Sequence, residues 1–206
     1  MKERGKQLKR KEKGKRYGFS VVLLAFFIIS FLGWAYETLL MLVWHGEFYD
    51  RGFLFLPFCP IYGFPVCVLY LLLGTPTEGR FSSWIDRRFK RASRGVQTFL
   101  RYLLYYLLSG VFATLIELTV GLILESAGLC LWTYRTEPLN FRGHICLQVS
   151  LIWGLMLTVF MRFLMPLLVR LLGKIPKKVQ VALCVVLSVA LLVDFSYCVF
   201  LRVIEK

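Results

Sequence analysis

The sequence predicts an all-α, polytopic membrane protein: five transmembrane helices arranged as two repeated hairpins plus one helix, with the N-terminus inside. Three observations carry this. Hydrophobic residues make up 58% of the 206-residue chain, and four or five apolar stretches approach or exceed the roughly 20 residues that span a bilayer. The basic residues alternate along the chain. The stretch from Arg51 to Gly63 also has an echo from Arg142 to Gly154.

The charge pattern gives the topology. The net charge is +14, with nine of the 26 basic residues in 1–16, seven in 74–101 and five in 162–178. Arg51, Arg135, Arg142, Arg202 and Lys206 are the rest. Basic residues concentrate on the inner side of a membrane, so this alternation places the N-terminus inside and the C-terminus outside. The charge is topological, and no nucleic-acid-binding motif accompanies it.

Residues 1–16 are nearly all charged or Gly and read as a basic cytoplasmic tail. Residues 17–206 form the transmembrane domain. The first span covers about 18–44, too long for a signal-peptide core. The second covers about 54–73 and is broken by Pro57, Pro60 and Pro65, which interrupt helical hydrogen bonding. Backbone broken at membrane depth survives only where protein or a watery cavity satisfies the freed groups. Residues 80–91 carry Phe81, Trp84, Ile85 and Phe89 at helical spacing among basic residues. They read as an amphipathic helix at the inner interface, anchoring to anionic lipid or docking a cytoplasmic partner. The remaining spans cover about 98–124, 143–164 and 179–203, with the longest outer loop at 125–142.

Within the echo, Arg, Gly, Leu, Ile and Gly recur in register, and Tyr62 answers Trp153 as the aromatic before the last glycine. A glutamate precedes each copy, Glu37 and Glu117. This is the basis for two repeated hairpins, the last span having no partner.

Carboxylates within spans are costly, about 2.5–3.5 kcal/mol each on insertion scales, and call for a partner or a cavity. Glu37, Glu117 and Asp194 all fall in the outer part of their spans, near Arg51 and Arg142. Two readings follow. In one, Glu37–Arg51 and Glu117–Arg142 are ion pairs that pin the hairpins, within a hairpin or swapped across the pair. In the other, these groups line an outward-facing polar pocket with Tyr36, Tyr62, Trp132, Tyr134 and Asn140.

Other chemistry is sparse. His45 and His144 lack metal-site spacing, and no phosphate loop or nucleophile motif is present. No cofactor, metal or catalytic residue is expected. The six cysteines read as small apolar residues, with Cys130 and Cys146 close enough to the outer face to pair in an oxidising compartment.

Several motifs resemble the CmpB family of small integral membrane proteins, named for a type IV ABC-transporter component. They are Gly33-Trp34-x-Tyr36-Glu37, Arg51-Gly52-Phe53-Leu54, Pro57-x-x-Pro60-Ile61-Tyr62-Gly63, Glu117, Leu124-Glu125, Trp132-x-Tyr134 and Asn140-x-x-Gly143-x-Ile145-Cys146-Leu147. They cover about residues 30–155. The chain departs from the family's usual Gly, Asp and Arg at Leu56, Thr133 and His144. The resemblance implies a multi-pass protein of the cell membrane and a permease role, and it brings Glu125 into the candidate set.

The expected function is a membrane component of a transport system. Its partners would be the lipid bilayer and a separate ATPase or other membrane subunit; a homo-oligomer is equally compatible with the chain. The alternatives are a non-transporting scaffold held by structural ion pairs, and an intramembrane enzyme using Glu117 or Asp194 as acid or base.

Overall fold

A computed structural model of the chain describes residues 18–46, 48 and 52–204. The basic tail and Arg51 lie outside the described residues. The described chain is almost wholly helical. Its helices are α1 (Phe19–His45), α2 (Pro60–Leu73), α3 (Arg80–Arg88), α4 (Arg94–Ser126), α5 (Leu147–Leu172) and α6 (Lys177–Val199). A π-helical turn at Phe200–Ile204 follows α6, and the outer loop holds a two-strand hairpin, β1 (Asn140–Phe141) with β2 (Ile145–Cys146).

Four helices are long and apolar enough to cross a membrane: α1, α4, α5, and α6 with its following turn. The protein is therefore a multi-pass membrane protein. Their lipid-facing sides carry large exposed apolar residues such as Val111, Leu155, Val186 and Val193, as expected where hydrocarbon replaces water. Helix α2 differs. At 14 residues it spans only about 21 Å at 1.5 Å per residue, short of a bilayer core.

The predicted second segment began as helix near residue 54, but the helix starts at Pro60. Residues 52–59 are non-helical, because Pro57 and Pro60 lack the N–H that a helical turn would use. Proline is at home in the first turn of α2, where its N–H would have no partner anyway. Two further boundaries shift. Residues 143–146 are hairpin rather than helix, and α5 runs through Pro166 to Leu172.

The most extensive pairings are α1 with α2 and α4 with α5, and in each a glycine sits on a carbonyl of the facing helix. A Cβ on Gly63 would lie 2.4 Å from Ser30 Oγ and 2.6 Å from the Phe26 carbonyl. One on Gly154 would lie 3.0 Å from the Tyr106 carbonyl and 3.2 Å from Gly110 Cα. Phe26 stands at the same distance before Glu37 as Tyr106 before Glu117, and Ser30 matches Gly110 in the same way.

Helix α6 is attached at both ends. At its start, buried Gln180 accepts from Ser20 Oγ (2.6 Å) and donates to the carbonyls of Leu172 and Ile175, while Lys177 Nζ reaches Ser20 Oγ at 2.7 Å. At its far end, Asp194 accepts from the backbone N–H groups of Phe55 (3.3 Å) and Leu56 (2.9 Å). The Arg202 guanidinium lies over the rings of Phe53 and Phe55, 5.3 and 5.7 Å from their centroids. The proline-broken stretch is thus held against α6.

The stretch expected to lie at the inner interface holds the helix α3, and part of its apolar face packs against protein. Phe81 and Ile85 are buried, Phe81 packing edge-on against Tyr105 with ring centroids 5.2 Å apart. Asp86 is bound by Arg101 of α4. Trp84, Arg87, Arg88, Lys90 and Arg91 remain exposed.

The two glycine crossings make a differential prediction. Overpacking costs about 1–3 kcal/mol, whereas replacing a helical Gly by Ala gains about 1 kcal/mol in propensity. Gly63→Ala meets a backbone carbonyl that cannot rotate away, so it should lower the thermal midpoint in detergent. Gly154→Ala, with its looser contacts, should leave the midpoint nearly unchanged.

Candidate functional site

The candidate residues separate into three places. The first lies between the hairpins. Glu37 on α1 accepts from Tyr62 Oη on α2 at 2.8 Å. Glu117 on α4 is 6% exposed, and its Oε1 accepts from Tyr134 Oη at 2.9 Å. The Trp153 indole N–H is turned to the same carboxylate, yet the buried Oε2 closes no hydrogen bond. The rings of Tyr62 and Trp153 meet edge-to-face at 5.3 Å, and Tyr36 packs on Tyr62 at 6.5 Å.

These groups border a cavity of about 260 Å³ lined by all four helices of the two pairs. Its walls are mostly apolar, including Ile29, Val66, Ala113 and Leu157; among the described residues Glu117 is the acidic one and none is basic. Leu32, Tyr36, Met156 and Leu164 also line it, and each is more than a third exposed. The cavity is therefore reached from the side of the bundle.

Tyr134 belongs to the outer loop, which folds back to bring it there. The turn between β1 and β2 places Arg142 and Gly143 at positive φ, 55° and 75°. Asn140 ties it by accepting from Gly143 N and donating to the carbonyls of Glu137 and Arg135. Tyr134 N then bonds the Gly143 carbonyl at 2.8 Å. Asn140 thus shapes the loop rather than a pocket. Burial, with the neighbouring carboxylates of Glu117 and Glu37, pushes the Tyr134 phenol above its ordinary range. It stays a hydrogen-bond donor at neutral pH.

The second place is the outer face of that loop. Glu125 meets His144 Nε2 at 3.1 Å and Arg142 at 4.0 Å, and Trp132 Nε1 donates to the His144 carbonyl at 3.0 Å. A cavity of about 350 Å³ lies among Glu125, Trp132, Arg135, Arg142 and His144. The Arg142 side chain is 60% exposed. The anticipated Glu117–Arg142 pair is accordingly replaced: Arg142 stays with Glu125 in solvent, and an uncharged phenol serves the buried carboxylate. Arg51, and with it the anticipated Glu37–Arg51 pair, lies outside the described residues. Cys130 and Cys146 are free thiols.

The third place is Asp194, remote from both cavities and bonded to the backbone of residues 55 and 56. Among the described residues no group of His, Cys, Asp and Glu could hold a metal ion. The single-sequence reading omitted Trp153 and Ala113 from the site. Trp153 was findable, since it stands in the place of Tyr62 within the echo.

A family model described as "Putative ABC-transporter type IV" matches residues 24–199. No curated protein and no solved structure matches the chain.

The hydrogen bond to Glu117 can be tested directly. Leaving a buried acceptor unsatisfied costs about 1–3 kcal/mol, more for a charged group. Tyr134→Phe should therefore lower the thermal midpoint in detergent by several degrees, and Arg142→Ala should leave it within a degree. The opposite ranking would restore the ion pair.

Proposed function

Because the chain belongs to this ABC-transporter family, CmpB, we propose that it is the membrane-embedded component of a transport system. The cavity between its hairpins receives the transported molecule. One observation carries this reading: a buried carboxylate oxygen with no hydrogen bond, bordering a cavity between four helices. An ionisable group at membrane depth is costly to keep there, and such groups mark ligand and ion pathways.

The proposal includes the finer architecture. The hairpins are two copies of one unit, α2 with its preceding loop completes a fifth crossing, and the N-terminus is inside. Supporting this are the matched glycine contacts, the alternation of basic clusters, and the equivalent bonding of Glu37 by Tyr62 and approach of Glu117 by Trp153. Parallel repeats about an axis along the membrane normal are a known way to build a midplane site.

The chain has no phosphate-loop motif, so ATP hydrolysis falls to a separate subunit. The exposed basic face of α3 lies on the inner side of this arrangement, available to lipid or to that subunit.

Two measurements test the proposal. In a background without native cysteines, residue 113 replaced by Cys should react with a small membrane-permeant maleimide, which can reach the cavity through its lateral opening. Cysteines at residues 90 and 137 should label from opposite sides. A protein unreactive at residue 113, purified from native membranes without any ATPase, would be the scaffold instead.

A further inference from the structure

We infer that the cavity between the hairpins takes an organic cation, a substituted ammonium with an apolar body, and that Glu117 is its counter-charge. The inference rests on the proposed binding role of this cavity and names the class of ligand.

The charge follows from the lining. Among the described residues that line the cavity, Glu117 is the only acidic side chain, and there is no Lys, Arg or His. Tyr134 holds Oε1, while Oε2 is buried and closes no hydrogen bond. The residue is 6% exposed, so water does little to screen it. The buried Glu117 carboxylate, met here by a phenol donor, makes a field that favours positive charge.

The body of the ligand follows from the walls. Tyr36, Tyr62 and Trp153 form a continuous run of rings whose faces attract a cation. Apart from Phe160 and Glu117, the rest of the lining is aliphatic or Gly and Met, and its exposed members lie on the lateral side of the bundle. A compound that partitions into the bilayer can enter there. A bare metal ion is the weaker fit. Hard cations require six or more oxygen ligands, whereas the lining offers a single carboxylate and the Tyr36 and Tyr62 hydroxyls.

Equilibrium dialysis of the full chain in detergent tests this with radiolabelled tetraethylammonium, against triethylphosphine oxide as a neutral molecule of similar size. Tetraethylammonium should bind saturably and at least tenfold more tightly than the phosphine oxide. Glu117→Gln, which can still accept from Tyr134, should lose at least tenfold. Glu125→Gln, on the outer loop, should bind as the wild type does. Trp153→Phe keeps the carboxylate and should lose several-fold, which covers the case of a poorly folded Glu117→Gln. Equal binding of the neutral probe, undiminished affinity in Glu117→Gln, or displacement by low millimolar sodium would overturn the inference. So would absence of tetraethylammonium binding. If residue 113 remains reactive to thiol reagent in that case, the cavity reading survives without its cation; if it is unreactive, both fall.

Discussion

Where hydrocarbon replaces water, every N–H, carbonyl and carboxylate has to find its partner within the protein, and this requirement organises the chain. Pro57 and Pro60 keep the second segment from being helical before residue 60, leaving the N–H groups of Phe55 and Leu56 to be satisfied from elsewhere. Asp194 provides the acceptors from α6. In doing so it fixes the broken stretch against the last helix, while Gln180 fixes the other end of that helix to the start of α1. A carboxylate that looks costly on its own helix is thus the complement of a backbone that looks costly on another.

The same requirement explains why a phenol rather than the Arg142 guanidinium attends Glu117. Bringing Arg142 inward would strip water from a second charge, a penalty of several kcal/mol that Coulomb attraction recovers only with excellent geometry. A tyrosine hydroxyl is cheaper to desolvate and arrives on a rigid ring. Arg142 instead remains 60% exposed beside Glu125, where solvent screens the ion pair. The outer loop is shaped accordingly. Its turn at Arg142 and Gly143, locked by Asn140, is what lets Tyr134 return to the bundle.

Much of this was legible from residue types. Apolar length gave a multi-pass helical membrane protein, and the prolines marked where the second segment is broken. Glu37, Tyr62, Glu117 and Tyr134 were candidates because carboxylates at membrane depth are rare and aromatic donors suit them. Their pairing was not legible. Which donor reaches Glu117 depends on the path of the loop between α4 and α5, and that path is set by four positive-φ residues, Gly128, Leu139, Arg142 and Gly143, and three hydrogen bonds of Asn140. The partner of Asp194 was hidden for a different reason: it is backbone, and backbone N–H groups leave no mark in a sequence. Arg142 and Asn140 were read as site residues on type alone, and their places at the surface follow from the turn they build.

The two hairpins also differ where they matter most. On the repeat reading, Tyr62 and Trp153 occupy one position, each before the glycine that lets its helix meet the other. Tyr62 closes a 2.8 Å bond to Glu37 within its own hairpin. The indole of Trp153 faces Glu117 but leaves Oε2 without a hydrogen bond, and the bond that Glu117 does receive comes from the loop. A single exchange of phenol for indole therefore turns a closed structural contact in one hairpin into an open one in the other. The open one borders the cavity, and the hydrogen bond it does receive comes from Tyr134 of the outer loop.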